Sequence, residues 1–531
     1  MKKKFRDYFI NLLIPSFVFG SVTGIATAVV ICLYKLCASY VIDLSTAGYG
    51  LLRKSPVWLA LIIPALFLVA WIFSRVYRKR PNLSGGGIPT SIGILRGILP
   101  IRCLENLFGV FALSLTTFLI GVPLGNEGPS VQMGVAVGKG CVRPFSKKHT
   151  AWERYSMTGG ACAGFSVATG APISGVLFAI EEAHQRISPM LLTVSATSVM
   201  FAGLTSELLT LFLPIHASLF DTLEVISLGL ADIWIPLLIG VAVGLFAVLF
   251  LKYYRVISKL ARRIRKKISN MYLIFAVFVL SVVLGVFSNN FVSTGHHLML
   301  FLFVENLPIG VLLLVLIART TVTLMASSAN ITGGLFVPIL TLGAISASII
   351  GSVMTSFGLG TDYGTVVLAL GITACIAAML KMPLTAIVFA VEAFSCYENV
   401  LYVIVVAVVS YVITELFGVK SITDSVIEHR VDGLHRGESA ESAEVFVTVG
   451  KGSFAVGKQI RDVLWPHNTF ILSVKFSSNA HVEVDEHGGM VLREGDVLHL
   501  RYHTYDAAET QAEILAIVGD QPLQKIEIDT P

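Results

Sequence analysis

The sequence predicts an all-helical, polytopic membrane protein built on an internal repeat and followed by a small soluble α/β domain. Three observations predict it. Of 531 residues, 55% are hydrophobic and only 14% charged, with a mean hydropathy of +0.78, which is more apolar chain than one or two globular cores bury. A two-part signature occurs twice, at Gly125–Glu182 and again at Gly334–Glu392. After Phe417 the apolar runs stop, and the chain turns to Gly, Ser, Glu and His before short alternating segments begin.

The membrane part comes first. Apolar stretches close to the roughly 20 residues that cross a bilayer run over 9–36, 56–73, 104–124, 157–180, 191–213, 233–251, 272–287, 308–326, 335–354, 366–391 and 400–417. Several are too short or too Gly-rich for a simple perpendicular span. Irregular backbone survives at membrane depth only where protein or a water-filled cavity satisfies its polar groups, so these interruptions predict a lined pathway. The net charge of +5 (pI ≈ 8.7) matters less than where it lies. Lys2, Lys3, Lys4 and Arg6 open the chain; Arg75, Arg78, Lys79 and Arg80 follow the second apolar stretch; Arg262, Arg263, Arg265, Lys266 and Lys267 form a third cluster. The positive-inside rule puts all three in the cytoplasm, and because they abut spans they argue against a nucleic-acid partner. The first apolar run lacks a small-residue cleavage site and reads as a retained helix. The seven cysteines form no C-x-x-C pair and read as reduced packing residues. His296-His297 has no acidic or cysteine ligands nearby and reads as a polar loop, so no metal is expected.

The soluble part begins after a linker at 431–444. Val445, Val447 and Val449 alternate with other residues, 471–476 and 497–502 read as strands, and 506–518 as a closing helix. A domain confined to 445–520 buries a marginal core and is expected to dimerise.

The repeat carries the chemistry. Gly125-Asn126-Glu127-Gly128-Pro129 leads to Gly134, and Gly334-Leu335-Phe336-Val337-Pro338 leads to Gly343, with one G-x3-P-x4-G spacing. Pro172 to Glu181 is answered by Pro383 to Glu392, with identical or conservative residues at nearly every position. Gly- and Pro-interrupted segments in corresponding places of two halves point to a midplane binding site made from broken helices. A third cluster, Gly85-Gly86-Gly87-Ile88-Pro89, has the same character. A helix N-terminus with uncapped amides carries about half a positive charge, and glycine lets an ion approach that backbone. Three such termini would hold an anion loosely enough to release it, whereas a lysine would bind too tightly. Any one glycine cluster also reads as tight helix packing; three, two of them repeated, favour the anion site.

Glu127 lies inside one of those turns, where a carboxylate occupies the place prepared for an anion. It therefore reads as a gate: ionised, it mimics the transported ion; protonated, it gives up its place, which ties anion passage to proton binding. Burial opposes its charge while the surrounding amides favour it. Glu181 has Glu392 as its repeat counterpart, which argues for a structural role such as capping or pairing with backbone. Glu182 has Ala393 opposite it and is the better candidate for a proton relay.

At these residues the chain resembles the CLC family of chloride channels and chloride/proton antiporters over about 10–430. The family motifs G-S-G-I-P, G-x-E-G-P and G-x-F-x-P correspond to Gly85–Pro89, Gly125–Pro129 and Gly334–Pro338. The resemblance implies a homodimer with one pathway per subunit, and a CLC-type inverted repeat of broken, tilted helices with halves at about 10–220 and 225–430. It also implies Glu127 as the external gating glutamate and Glu182 as the internal proton glutamate of antiporters. The implied anion ligands are Gly86, Gly87, Ile88, Pro89, Gly125, Gly128, Pro129, and Leu335 and Phe336 through their amides, with Thr423 at the inner gate. Two departures stand out: Gly86 replaces the family's serine, leaving anion selectivity open, and Thr423 replaces its inner tyrosine. Residues 445–518 resemble, more weakly, the C-terminal subdomain of regulators of potassium conductance, through Gly457-Lys458-x-Ile460-Arg461-Asp462 and Gly495-Asp496. Such subdomains dimerise, and some bind cyclic dinucleotides such as cyclic di-AMP.

The leading expectation is therefore a proton-coupled chloride antiporter in a bacterial inner membrane, multi-pass, with both termini cytoplasmic and bound chloride in place of any cofactor. The alternative is a passive voltage- or ligand-gated anion channel of the same fold, which Gly86 and Thr423 favour and Glu182 opposes. An intramembrane hydrolase is a third reading. No Ser-His pair or H-E-x-x-H motif accompanies the carboxylates, so no enzyme is expected.

Overall fold

The computed structural model describes residues 13–85, 87–142, 150–215, 219–220, 225–305, 307–358, 360, 363–434, 441–476, 481–483, 488–519 and 524–526. The opening lysine cluster, Gly86 and much of the expected linker lie outside them. The first half of the membrane part runs α1 (Ile14–Lys54), α2 (Leu59–Lys79), α3 (Gly87–Leu95), α4 (Cys103–Ile120), α5 (Glu127–Val142), α6 (Thr150–Thr169), α7 (Pro172–Phe178, continued by a π-turn over Ala179–Ala183) and α8 (Pro189–Thr210). The second half repeats the order: α9 (Trp234–Arg265), α10 (Asn270–Phe287), α11 (His296–Val304), α12 (Ile309–Ser328), α13 (Phe336–Ser356), α14 (Gly364–Cys375, with a π-turn over Ile376–Leu380), α15 (Pro383–Phe394) and α16 (Val400–Leu416). α17 (Ile422–Leu434) closes it. Each half opens on its longest helix, and the third helix of each has 9 residues.

Local chemistry explains the breaks. The single apolar run at 157–180 is two helices because Gly170 takes φ +74° and Pro172 starts the next helix. The run at 366–391 breaks the same way, with Lys381 left-handed and Met382 outside the helical region before Pro383. His296-His297 is not a loop: Gly295, at φ +100°, turns the chain, and the pair opens α11. α1, with 41 residues, would span about 60 Å at 1.5 Å per residue, more than the thickness of a bilayer, which favours tilt.

α17 ends at Leu434 and the first strand starts at Glu441, inside the stretch read as linker. The strands β1 (Glu441–Thr448), β2 (Thr469–Lys475), β3 (His481–Glu483), β4 (Val497–Thr504) and β5 (Gln524–Ile526) form one antiparallel sheet in the order β3-β2-β4-β1-β5. α18 (Ala507–Val518) packs its Ile514, Ile517 and Val518 with Val445, Val447, Leu498 and Leu500 of the sheet. The expected α/β unit is present, extended at both edges by the short strands β3 and β5.

This domain sits against the N-terminal ends of α6 and α8. The Tyr155 hydroxyl donates to the Asp462 carbonyl and accepts from the Leu464 amide at 3.0 Å. Arg154 donates to the Trp465 carbonyl at 2.8 Å and pairs with Glu513 at 2.7 Å, and the Ser188 hydroxyl donates to an Asp462 carboxylate oxygen at 3.2 Å. Phe454 packs edge-on to Trp152 with ring centres 5.5 Å apart.

Candidate functional site

The two halves meet backbone to backbone at the repeated motif. The Gly125 amide donates to the Gly334 carbonyl at 2.8 Å and the Gly334 amide to the Gly125 carbonyl at 2.7 Å, an antiparallel bridge between equivalent residues. The first glycine turn joins them. A Cβ at Gly87 would fall 1.9 Å from the Gly128 carbonyl carbon, and one at Gly128 would fall 2.6 Å from the Gly334 Cα, so only glycine allows this convergence. The Gly85 amide donates to the Asn330 carbonyl at 2.8 Å, tying the first turn to the approach of the third. α3, α5 and α13 thus begin at Gly87, Glu127 and Phe336, with the three N-terminal turns gathered in one place. Ile88, Pro89, Gly125, Pro129, Leu335 and Phe336 are all buried there. Phe336 is fixed edge-on between Phe165 and Phe389, ring centres 5.1 and 5.5 Å away. Gly86 lies outside the described residues.

Glu127 is fully buried as the first residue of α5, and neither carboxylate oxygen has a hydrogen-bond partner among the described residues. It borders a cavity of about 490 Å³ whose lining includes Lys35, Asp43, Thr294, His296 and His297. The Lys35 ammonium donates to the Val167 carbonyl at 3.0 Å. A buried carboxylate without donors, beside a cavity with polar lining, is free to change its protonation or its rotamer.

Glu181, Glu182 and Glu392 separate cleanly. Glu181 accepts from the Leu384 amide (2.9 Å) and from the Thr385 amide and hydroxyl (2.7 Å each), capping α15. Glu392 does the reciprocal: it accepts from the Ile173 amide (2.7 Å) and from the Ser174 amide (2.9 Å) and hydroxyl (2.6 Å), capping α7. Each half caps a helix of the other. Glu182 does not share this arrangement. It is 5% exposed, on the π-turn after α7, and its neighbours include Thr423, Asp424 and Arg96. The Thr423 hydroxyl, itself buried, faces Glu182 without completing a well-formed hydrogen bond. Arg96 holds the π-turn by donating to the Glu182 carbonyl at 2.8 Å and the Ala183 carbonyl at 3.0 Å, and it pairs with Asp424 at 3.5 Å.

Sequence reasoning missed Lys35, Arg96 and Arg430. Arg430, only 8% exposed, donates to the Thr90 hydroxyl and the Ser84 carbonyl beside the first glycine turn. Its position seven residues after Thr423, on the same face of α17, is the signal that could have found it.

Comparison with known proteins agrees with this geometry. A family model described as voltage gated chloride channel matches residues 65–415. An H(+)/Cl(-) exchange transporter ClcA of Yersinia pestis is 30% identical over 388 residues, covering 72% of this chain and 80% of the relative. Its counterpart in Klebsiella pneumoniae is 28% identical over 385 residues, covering 70% and 79%. Among solved structures, a slow cyanobacterial Cl⁻/H⁺ antiporter superposes with TM-score 0.70 at 23% identity, covering 79% of this chain and 99% of that one. A CLC-type fluoride/proton antiporter superposes with TM-score 0.63 at 19% identity, covering 76% and 96%.

Proposed function

The chain belongs to the voltage gated chloride channel family, and from that premise we propose that it exchanges chloride for protons across a membrane. One observation carries the reading. Two buried carboxylates, Glu127 and Glu182, stand at the places where the halves differ, one in an anion-seeking turn and the other on the π-turn that faces α17. In this mechanism the glycine-turn amides hold the anion, Glu127 competes for that place when ionised and yields it when protonated, and Glu182 passes the proton on the other side. The names of the exchange transporters it resembles support this over a passive channel.

Reconstitution into liposomes tests it: an outward chloride gradient should drive proton uptake. Chloride flux without proton movement would establish the channel reading instead, and an absence of both would overturn anion transport.

The finer assignments are part of the same proposal. The protein acts as a homodimer in a bacterial inner membrane, with its termini in the cytoplasm beside the basic clusters of α2 and α9. The C-terminal domain regulates transport, with a cyclic dinucleotide as the candidate ligand. Its docking on Ser188, two residues after Arg186 in the segment that leaves the Glu182 π-turn, gives a bound ligand leverage on the proton side of the exchange. A ligand acts there only through different affinities for the two states it shifts between.

A further inference from the structure

Resting on the anion-transport reading above, we infer that Arg430 is a specificity-determining residue whose guanidinium sets how tightly the first glycine turn holds its anion.

The first turn has no side-chain donor of its own, because Gly85, Gly86, Gly87, Ile88 and Pro89 carry none. Arg430 fills that gap. Its Nη1 donates to the Thr90 hydroxyl, and its Nη2 to the Ser84 carbonyl and to the Pro81 carbonyl at 3.1 Å. Its Cζ lies 3.5 Å from where a Cβ at Gly85 would stand, so the guanidinium packs against the turn itself.

Every one of these acceptors is neutral. The acidic residues of its own helix that are described face elsewhere: Asp424 pairs with Arg96 and takes the Ser421 hydroxyl, and Glu428 pairs with Lys420. Among the described residues no carboxylate offsets Arg430. A buried cation without a counter-charge is costly, and a transported anion at the adjoining turn offsets that cost while it is bound.

Burial alone would not single it out. Arg319 is as deeply buried and also rests on carbonyls, those of Asn290, Val292 and Ser293, but these belong to the connection before α11 and not to an anion motif. Arg430 also touches the wall of a cavity. Its acceptor Ser84 lines a cavity of about 410 Å³ that Arg78, Arg265 and Asn330 line as well. A recess walled by one sign of charge concentrates the opposite ion, and the planar guanidinium presents its donors in a fixed fork that an ammonium does not reproduce.

The test uses the full-length protein with Arg430→Gln and Arg430→Lys, read by calorimetric titration with chloride and nitrate and by melting temperature. Arg430→Gln should weaken chloride binding at least about tenfold, the scale of losing one charge-assisted contact, and should change the chloride-to-nitrate ratio. Arg430→Lys should keep most of the affinity but shift that ratio, because it retains charge without the fork. A purely structural residue would lower the melting temperature of both variants and leave the ratio alone, which would overturn the inference. So would a folded Arg430→Gln protein that binds chloride like the parent. If Arg430→Gln does not fold, the ratio in Arg430→Lys decides. A parent protein that binds no chloride would instead refute the anion-transport reading itself.

Discussion

The two halves of the membrane domain are alike where they build structure and unlike where chemistry is expected. Gly125 and Gly334 exchange a pair of backbone hydrogen bonds, and Glu181 and Glu392 cap each other's helices with the same three donors apiece. At the next positions the likeness ends. Glu127 faces the place that Phe336 takes in the other half, and Glu182 the place of Ala393. Phe336 is locked between two rings, while Glu127 has no hydrogen-bond partner among the described residues and borders a cavity. Glu182 sits on a π-turn, a local loosening that often accompanies function, whereas α15 runs on as a regular helix through Glu392 and Ala393. The symmetric residues close the fold on itself; the asymmetric ones break the equivalence that would make both faces behave identically.

That contrast is sharpest at Glu127. Glu127→Gln removes the only atom pair in its turn that can bind a proton and leaves a neutral side chain like the protonated acid. Proton uptake driven by chloride should fall to the background of empty liposomes while chloride flux persists. Retained coupling at the parental ratio would end the gate assignment. Glu182→Gln should act on one side of the exchange only, cutting proton flux by at least about tenfold, as removal of a proton-transfer group does, and leaving chloride binding unchanged in calorimetry. If proton flux continued at the parental rate, Glu182 would join Glu181 as a structural residue.

The sequence made much of this legible, for a physical reason: a repeat is local information written twice. The motif turns, the structural role of Glu181 and the separate standing of Glu182 could all be read by laying one half over the other. What could not be read depends on non-local contact. The Gly125–Gly334 bridge joins residues far apart in the chain, and no periodicity encodes it. α5 was hidden because Gly128, Gly134 and Gly138, chosen for close approach, dilute its apolar signal. Arg96 and Arg430 take their significance from distant contacts, Arg96 with the Glu182 and Ala183 carbonyls and Arg430 with Thr90 and Ser84. β3 and β5 span 3 residues each, too few for an alternation to register.

The reciprocal caps offer the next test of the symmetry, with a smaller effect. Glu181→Gln and Glu392→Gln each keep the shape of the cap and lose its charge, so each should lower stability by about 1.5–3 kcal/mol, the range for hydrogen bonds to a charged group. Thermal unfolding in detergent should show the two losses to be similar, with the proton-to-chloride ratio unchanged in both variants. A coupling defect in Glu181→Gln alone would mean that the halves are not equivalent even here.

The smallest expected effect concerns the soluble domain, which has no counterpart in the repeat and whose hydrogen bonds to Arg154, Tyr155 and Ser188 fall on the first half. Two of its acids are at the docking surface. Burial pushes the Asp462 carboxyl above its ordinary range, against the opposing pull of the Ser188 hydroxyl, and burial also raises Glu513 despite its pairing with Arg154. A carboxyl whose value is raised in the docked state favours docking fully below its free value, and that contribution is lost as pH rises through the raised one. Docking should therefore tighten on acidification from neutral pH toward the ordinary carboxylate range, which hydrogen exchange at the Leu464 amide, bonded to Tyr155, would report as growing protection. Asp462→Asn removes one titrating group and should flatten that pH dependence while keeping the backbone contacts of Tyr155. Protection that instead weakened as pH fell would show that the ion pair from Arg154 to Glu513 outweighs both burial penalties, and would reverse the sign assigned to this interface.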